Sequence, residues 1–317
     1  MGRVVATTHL PGDPARLLDG HEWCGPVAGE APWPRTRWLV ELATADALVC
    51  LLSDRIDAAA LDAGPRLRVV ANYAVGVDNV DVAAATARGV LVANTPDVLV
   101  EATADFTFAL MLAAARRLGE GERMVRAGAW RGWAPEQLLG ADVGGRTLGI
   151  VGMGRIGRAV ARRARGFAMR VLYTRGHAGD GAEAWATRVE LDELLATSDV
   201  VSLHCPLTPE TRGLVDARAL AAMKPGAILV NTARGAIVDD GALAEALERG
   251  HLGGAGLDVF TEEPRIDPRL LAAPRVVLAP HLGSATTTAR TRMAELCVTA
   301  VRDVLAGRRP TNLVNHP

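Results

Sequence analysis

Three polar side chains, Arg234, Glu263 and His281, have the chemistry that a carbonyl–alcohol redox step requires. A ketone that accepts a hydride needs a proton donor at the developing alkoxide, and histidine suits this role because its pKa lies near operating pH. A carboxylate bonded to the other ring nitrogen would fix the tautomer and favour the imidazolium. A guanidinium can bind a substrate carboxylate and polarise the adjacent carbonyl. We therefore predict that Arg234 binds the substrate carboxylate and polarises the carbonyl. Glu263 would fix the tautomer of His281 and favour its imidazolium form, and His281 would donate the proton to the alkoxide.

These three residues are far apart in the sequence, so their proximity depends on the elements that carry them. Each follows an apolar run typical of a buried parallel strand, at residues 228–231, 256–259 and 276–279. In open parallel sheets, ligands bind beyond the carboxyl ends of the strands. Alone, each residue has an ordinary explanation, as a solvated loop arginine, a turn glutamate or a helix-capping histidine. Their shared placement at one sheet edge favours the catalytic interpretation.

A glycine-rich motif, Gly152-Met153-Gly154-Arg155-Ile156-Gly157, predicts a dinucleotide site at the same edge. It follows an apolar run at residues 147–151 and opens a helix-like stretch at residues 158–167, which is the context that makes the pattern credible. Its first glycine permits a tight turn, its second lets the backbone approach a pyrophosphate, and its third lets the helix pack on the strand. Backbone N–H groups at the helix start would hold the anion.

Strand-like runs alternate with helical patterns along most of the chain, which predicts βαβ units and parallel sheets covered on both faces. The predicted strands are residues 4–8, 47–52, 68–72, 90–94, 147–151, 170–174, 200–204, 228–231, 256–259 and 276–279. Two such blocks predict an α/β fold of two doubly wound parallel-sheet domains. Residues 101–118 are predicted as one long helix that joins the blocks. A helix predicted at residues 284–305 would pack back on the N-terminal block, which makes that domain discontinuous.

Composition argues against several classes of protein. At 317 residues, two domains are favoured over one, and 49% hydrophobic residues supply packed cores. The net charge of −1 argues against a nucleic-acid or membrane-surface partner, and the basic stretch at residues 155–165 is predicted to be a solvated helix face. No secretory segment or apolar run of membrane-spanning length is evident. Dispersed cysteines without a C-x-x-C pair predict reduced thiols in the cytoplasm and no metal site.

Several segments together resemble the D-isomer-specific 2-hydroxyacid dehydrogenases. They are Asn72-Tyr73-Ala74-Val75-Gly76-Val77-Asp78-Asn79, the glycine motif, Asn231-Thr232-Ala233-Arg234-Gly235, Gly256-Leu257-Asp258-Val259-Phe260 with Glu263-Pro264, and Pro280-His281-Leu282-Gly283-Ser284-Ala285-Thr286. The similarity runs along essentially the whole chain and is closest to the glyoxylate/hydroxypyruvate reductase branch. The features that suggest this branch are Leu51-Leu52-Ser53-Asp54, Asn94-Thr95-Pro96-Asp97-Val98-Leu99 and Trp130-Arg131-Gly132-Trp133-Ala134-Pro135.

The resemblance implies a fold, a reaction and an assembly. The fold would be a flavodoxin-like substrate domain, residues 1–99 plus 285–317, with an inserted Rossmann dinucleotide-binding domain, residues 100–284. The resemblance also implies the same catalytic triad that the chemistry above predicts. The reaction of the branch is the reduction of glyoxylate to glycolate and of hydroxypyruvate to D-glycerate. Members of the family form homodimers through the Rossmann domain.

The resemblance further implies which residues bind substrate and cofactor. Backbone amides of Val75 and Gly76 would hold the substrate carboxylate, because glycine permits close backbone approach, although a plain turn glycine is the alternative for Gly76. Leu52, Arg234 and His281 complete the implied substrate site. Together with the glycine motif and with two residues argued from position below, the predicted cofactor site consists of Gly152, Gly154, Arg155, Ile156, Gly157, Thr174, Arg175, Cys205, Pro206, Thr211, Thr232, Ala233, Arg234, Asp258, His281 and Gly283.

The nicotinamide cofactor is predicted from the segment after the glycine motif. About 20 residues after the first glycine, an NAD site usually offers Asp or Glu to the ribose 2′-OH. Residues 171–177 contain no acid, and Arg175 could pair with a 2′-phosphate while Thr174 adds a hydrogen bond. We predict a preference for NADPH over NADH, with NADH as the other possible cofactor. The alternative is that Arg175 stacks on the adenine and the site uses both cofactors.

Other functions stay open from sequence alone. Residues 130–137 and 247–254 resemble phosphite dehydrogenase to some extent, although residues 265–268 look more like the glyoxylate branch. A D-3-phosphoglycerate dehydrogenase or another D-2-hydroxyacid dehydrogenase is a further enzyme alternative. A nucleotide-sensing corepressor of the same superfamily is the non-enzyme alternative, since fold does not prove activity. The lack of basic patches and extended disordered tails favours the enzyme.

Overall fold

The chain forms two compact units, each built around a parallel sheet. The computed structural model describes residues 1–18, 20–174 and 185–316. One unit consists of Met1–Leu99 with Ala285–Pro317, and the other of Val100–Ser284. Because every pairing between named strands is parallel and helices pack against both sheets, the predicted α/β class with two doubly wound sheets is confirmed.

The N-terminal part of the first unit alternates short strands and helices. Its elements are β1 (Arg3–Ala6), a short 3-10 helix (Pro14–Leu18), β2 (Glu22–Cys24), α1 (Arg35–Leu42), β3 (Ala47–Cys50), α2 (Ala58–Asp62), β4 (Val69–Asn72), α3 (Val82–Ala87) and β5 (Leu91–Ala93). The strands described for this unit form a sheet in the order β2-β1-β3-β4-β5, which is the flavodoxin-like order. Strands β3 and β4 are buried throughout because their residues are almost continuously apolar.

The second unit repeats the alternation with longer helices. Its elements are α4 (Val100–Ala115), α5 (Leu118–Arg126), β6 (Thr147–Val151), α6 (Arg155–Gly166), β7 (Arg170–Thr174), β8 (Ala186–Arg188), α7 (Leu191–Thr197), β9 (Val200–Leu203), α8 (Ala217–Ala222), β10 (Ile228–Asn231), a 3-10 turn (Gly235–Ile237), α9 (Asp240–Glu248), β11 (Gly254–Leu257), α10 (Pro268–Ala272) and β12 (Val276–Leu278). Within the described residues, the sheet order is β12-β11-β10-β9-β6-β7-β8. The order reverses direction at β6, which is the Rossmann switch point where ligands bind.

Two hydrophobic clusters cover the two faces of this second sheet. Along β10, Ile228 and Val230 contribute to one cluster, whereas Leu229 contributes to the other. Successive side chains of a strand point to opposite faces, so a strand buried on both sides must be apolar at every position. Helices α4 and α6 supply residues to the first cluster, and α7, α8 and α9 supply the second.

The C-terminal segment belongs to the first unit. Helix α11 (Thr287–Leu305) begins after Thr286, whose side chain accepts a hydrogen bond from the Ala289 N–H as an N-cap. Its apolar face packs on β3 and β4. Beyond it, Leu313 forms a single antiparallel bridge to Ala93.

The prediction of a single helix at residues 101–118 was wrong. Helix α4 ends at Ala115, and Arg117 adopts a left-handed conformation with φ of 52° before α5 begins. The side chain of Arg117 pairs with Glu120 at 2.7 Å, in the first turn of α5. Helix α4 is largely buried in its own unit and contacts β10, β11 and α6, whereas α5 has no buried residue. The two helices therefore have different environments despite their continuous sequence pattern.

Other predicted strands and helices begin or end at different residues in the structure. The strand predicted at 256–259 is β11 at Gly254–Leu257, and the helix predicted from residue 158 starts at Arg155. Edge strands β2 and β8 were not predicted, because each has only three residues and neither is fully buried. The basic stretch on α6 is not simply solvated, since Arg163 bonds Glu101 at 2.8 Å and Asp105 at 2.7 Å on α4.

Candidate active site

Asn231 shapes the turn that follows β10. Its side chain is buried, its Oδ1 accepts the Ala233 N–H at 3.0 Å, and its Nδ2 donates to the Arg234 carbonyl at 2.9 Å. The Arg234 guanidinium donates to the Ala233 carbonyl at 2.8 Å, and Thr232 Oγ1 lies 3.0 Å from Thr107 Oγ1 on α4. Asparagine favours such local side-chain-to-backbone turns. The turn therefore sets the position of Arg234 at the carboxyl end of β10.

Gly235 brings the β10 turn against the loop that follows β11. A Cβ atom on Gly235 would collide with backbone atoms of Phe260 and Thr261. Only glycine permits such close approach of two backbones. In the same loop, the Phe260 N–H donates to Glu263 Oε1 at 3.1 Å, which orients the glutamate. The loops that carry Arg234 and Glu263 are therefore in direct contact.

Glu263 and His281 form the central pair of the site. His281 Nδ1 lies 2.9 Å from Glu263 Oε2, and the exposed fractions of the two side chains are 25% and 32%. A carboxylate at this distance selects the Nδ1–H form of the ring, so Nε2 is the nitrogen that can exchange a proton with a ligand. The structure thus brings all three predicted catalytic residues to one edge of the second sheet.

The charge state of Glu263 follows from its neighbours. Burial raises the pKa of Glu263, but the hydrogen bond to His281 and the positive charges of His281 and Arg234 outweigh burial. The net pKa shift is downward, so Glu263 is a carboxylate at neutral pH. The ionised Glu263 side chain is therefore a hydrogen-bond acceptor for His281 Nδ1.

Asp258 holds the backbone turn that carries His281. Its carbonyl accepts the His281 N–H at 2.9 Å, and its two carboxylate oxygens accept the Leu282 and Gly283 N–H groups at 2.6 and 2.7 Å. His281 itself has φ of 56°, the left-handed region that costs a non-glycine residue roughly 1–2 kcal/mol. Burial raises the pKa of Asp258, while the two N–H bonds and His281 oppose the rise. Three hydrogen bonds to one residue therefore maintain an unfavourable conformation at the predicted proton donor.

The glycine motif has the geometry of an anion site at the switch point. Gly152 has φ of 99°, and its added Cβ would meet the backbone of His204 and Cys205. A Cβ on Gly157 would meet the Gly152 carbonyl, so this glycine is required for helix-on-strand packing. Gly154 is the N-cap of α6, has no side-chain cap hydrogen bond, and faces open space. An uncapped helix start with room for an approaching group fits a dinucleotide pyrophosphate.

The loop after β9 supports the glycine turn from the other side. The His204 N–H donates to the Val151 carbonyl at 2.8 Å, and His204 Nε2 lies 2.8 Å from Ser202 Oγ. Burial lowers the pKa of His204 to about 3, so its ring is neutral. Thr211 Oγ1 donates to the Pro206 carbonyl at 2.7 Å and closes the loop.

Thr174, Leu52, Val75 and Gly76 lie at or after the carboxyl ends of strands, in one unit or the other. Thr174 ends β7 and is half-buried, while Arg175 lies outside the described residues. Leu52 follows β3, and Val75 and Gly76 follow β4, all on the first unit. The structure does not test the roles proposed for these residues.

Two functional features of the site were not predicted from the residue types. The turn-forming role of Asn231 and the clamp made by Asp258 depend on backbone contacts, which a residue list does not reveal. An asparagine at the last position of one buried strand and an aspartate immediately after the next were the available signal.

Among residues 1–18, 20–174 and 185–316, no group of three or more His, Cys, Asp or Glu side chains could hold a metal ion. In the same described ranges, no helix is both long enough and apolar enough to cross a lipid bilayer.

Comparison with known proteins identifies the family. Residues 108–283 match the family model of the D-isomer specific 2-hydroxyacid dehydrogenase, NAD binding domain. The glyoxylate reductase of Korarchaeum cryptofilum is 50% identical over 319 aligned residues, which cover 99% of this chain and 96% of the relative. A crystal structure of a protein from Thermus thermophilus has a TM-score of 0.91 at 49% identity, covering 99% of this chain and 100% of that chain.

A second solved structure has a stated cofactor. An NADPH-dependent glyoxylate/hydroxypyruvate reductase of Sinorhizobium meliloti, in complex with NADP and malonate, has a TM-score of 0.85 at 32% identity and covers 99% of this chain and 96% of that chain. The chain belongs to the D-isomer-specific 2-hydroxyacid dehydrogenase family, in its glyoxylate reductase branch. It is an oxidoreductase that uses a nicotinamide dinucleotide.

We predict that Asp258→Asn destabilises the second unit by about 1–3 kcal/mol, because an amide replaces one acceptor and leaves a buried N–H unpaired. The measurement is urea unfolding followed by circular dichroism. Asp239→Asn is the matched control, since Asp239 caps α9 through the Ala242 N–H and asparagine caps equally well. Equal stability of both variants and the wild type would contradict the clamp.

Proposed function

We propose that the protein transfers a hydride from NADPH to a small 2-oxo acid, converting glyoxylate to glycolate and hydroxypyruvate to D-glycerate. The observation that carries the proposal is the His281–Glu263 pair, with Arg234 beside it, at the sheet edge that bears the glycine motif. About 50% identity to glyoxylate reductases along 99% of the chain supports the substrate class.

Each catalytic residue has one task in the proposed reaction. The bound nicotinamide supplies the hydride. Arg234 binds the substrate carboxylate and polarises the carbonyl, because its planar guanidinium is always charged. His281 gives a proton from Nε2 to the developing alkoxide, and Glu263 stabilises the imidazolium through Nδ1. On the first unit, Val75 and Gly76 offer backbone N–H groups to the substrate carboxylate, and Leu52 contributes to substrate selection.

The cofactor site is proposed to include the loops at the carboxyl edge of the second sheet. The N–H groups at the start of α6 would hold the pyrophosphate, as the open space at Gly154 allows. We propose that Arg155, Ile156, Thr174, Cys205, Pro206, Thr211, Thr232, Ala233, Asp258 and Gly283 line this site, together with the glycines of the motif.

We predict that His281→Ala lowers kcat for NADPH-dependent glyoxylate reduction roughly 10²–10⁴-fold, the effect of a lost general acid. The Kd for NADPH should stay close to the wild-type value, because the ring is not needed to hold the pyrophosphate. Absorbance at the NADPH band gives the rate, and fluorescence titration gives the Kd. His316→Ala, at an exposed site in the first unit, is the control. Wild-type turnover by His281→Ala would refute the assignment.

We propose a preference for NADPH over NADH, which rests on the sequence of residues 171–177 and their lack of an acid. We predict that Arg175→Asp lowers the ratio of kcat/KM with NADPH to kcat/KM with NADH at least roughly tenfold, because a carboxylate repels the 2′-phosphate. Arg170→Asp, at the opposite end of β7, is the control for a general charge effect. An unchanged ratio in Arg175→Asp would remove the argument.

We propose that the protein is a homodimer formed through its Rossmann unit. Large apolar side chains are exposed on α5 and the segment after it: Leu118, Val125, Trp130, Trp133 and Leu139. A concentration of exposed apolar residues is typical of a protein–protein interface, and a second copy of the chain is the occupant that we propose.

We predict that the double variant Val125→Glu/Trp133→Glu sediments as a monomer, because two buried charges without partners would oppose association. Analytical ultracentrifugation measures the assembly. Val40→Glu is the control, since Val40 is equally apolar and is 74% exposed on α1 of the other unit. A double variant that keeps the wild-type mass would place the interface elsewhere.

We also propose a cytoplasmic location and no nucleic-acid or membrane partner. Cys24, Cys50, Cys205 and Cys297 are all free thiols, which suits a reducing compartment. The net charge of −1 provides no electrostatic attraction for nucleic acids.

A further inference from the structure

We propose that Asn94 is a positioning residue for the substrate carboxylate, because it fixes the peptide group that presents the Gly76 N–H. Asn94 lies just after β5, and its Nδ2 donates to the Val75 carbonyl at 2.7 Å. The inference deepens the proposed function and rests on its assignment of Val75 and Gly76 to the substrate. No catalytic step is assigned to Asn94 itself.

The planarity of the peptide bond connects the two groups. The Val75 carbonyl and the Gly76 N–H belong to the same peptide unit and point in opposite directions when that unit is trans. A hydrogen bond that fixes the carbonyl therefore fixes the direction of the N–H. The same bond polarises the peptide unit and strengthens the N–H as a donor.

The neighbouring peptide unit is held in the same way. The Val75 N–H shares its peptide plane with the Ala74 carbonyl, and that carbonyl accepts the Thr95 N–H at 2.9 Å. Asn94 and Thr95 are consecutive residues, so one short segment after β5 sets the direction of both donors that follow β4. Within the described residues, neither the Val75 N–H nor the Gly76 N–H donates to a protein group. Both residues are partly exposed, so the two donors are available to a ligand.

A pair of asparagines, the buried Asn72 and the half-buried Asn79, holds the other side of this turn. Asn72 and Asn79 exchange hydrogen bonds between their side-chain amides, each at 3.1 Å. The second N–H of Asn72 donates to the Gly76 carbonyl at 2.8 Å. Asn79 Nδ2 also reaches the carbonyls of Leu51 and Asp54 at 3.1 and 3.0 Å, which ties the loop containing Leu52 to the same network. The turn is therefore held from two directions.

The C-terminal segment holds Asn94 in turn. The Asn94 N–H donates to the Asn312 carbonyl at 3.2 Å, and Asn312 Nδ2 donates to the Asn94 carbonyl at 2.6 Å. Because the N–H and the carbonyl of Asn94 are both hydrogen-bonded to Asn312, the Asn94 backbone is held in place. Its side chain is thereby directed at the Val75 carbonyl. This arrangement explains why a side chain that need not touch the substrate can control how the substrate binds.

The test is Asn94→Ala in the full-length protein, with steady-state kinetics for glyoxylate. We expect KM for glyoxylate to rise roughly tenfold, the effect of about one weakened hydrogen bond to a charged ligand. The Kd for NADPH should not change. Asn94→Asp, which keeps the shape but replaces the donor by a negative charge, should raise KM further. The split between substrate KM and cofactor Kd is the readout that a general loss of stability would not produce.

Asn315→Ala is the matched control. Asn315 is a buried asparagine of the same C-terminal segment, and it bonds the Val92 N–H at 2.7 Å and the Val90 carbonyl at 2.9 Å without contact to Val75. It should lower the melting temperature as Asn94→Ala does and leave KM at the wild-type value. A KM for Asn94→Ala that matches the wild type, or one that matches Asn315→Ala, would overturn the inference.

Failure of the proposed function can be distinguished from failure of the positioning role of Asn94. If the wild type reduces neither glyoxylate nor hydroxypyruvate, oxalate serves as a carboxylate probe, and calorimetry measures its Kd in the presence of NADP⁺. A roughly tenfold weaker Kd for oxalate in Asn94→Ala than in Asn315→Ala would support the positioning role while the proposed reaction fails. Equal Kd values, or no oxalate binding by the wild type, would overturn the inference.

Discussion

The hydrogen bonds of Asp258 maintain the conformation of the loop that carries His281. Without them, a non-glycine residue with φ of 56° would relax toward a right-handed or extended conformation, and the ring would leave the Glu263 carboxylate. The bond between Glu263 and His281 depends in turn on the contact of Gly235 with the loop after β11. Thus the Glu263–His281 pair forms because the loops that follow β10, β11 and β12 hold one another in place.

The two units use the same kind of contact in the loops that are proposed to bind ligands. In each, a side-chain amide binds a backbone group and so fixes the position of a neighbouring group that is proposed to bind the substrate. Asn231 does this beside Arg234, and Asn94 does it beside Gly76. Short polar side chains suit this work because they lose little conformational freedom and can satisfy buried backbone groups. Rigid donors need no reorganisation when charge develops in a ligand, which is the condition for effective electrostatic stabilisation.

The sequence could predict the features that depend on local pattern. Strands β6, β7 and β10 have the predicted ends because both of their faces are buried and their apolar runs are continuous. The edge strand β8 was missed, since two of its three residues are exposed and its pattern resembles a loop. The break at Arg117 was also missed, because a left-handed arginine has no local signature comparable to glycine. The proximity of Glu263 and His281 could be inferred from parallel-sheet topology and from the family resemblance, whereas the Asp258 clamp depends on backbone contacts that residue types do not reveal.

The division of the chain also affects the order in which it can fold during synthesis. Residues of the second unit are contiguous, from Val100 to Ser284, so all of them leave the ribosome before the first unit is complete. The first unit needs α11 over its sheet and Asn312 beside Asn94, and both are translated after the inserted second unit. One face of its sheet therefore stays uncovered until the whole inserted unit has been synthesised. Synthesis proceeds at about 5–20 residues per second. We therefore expect chaperones to bind nascent chains at the uncovered sheet of the first unit rather than at the sheet of the second unit.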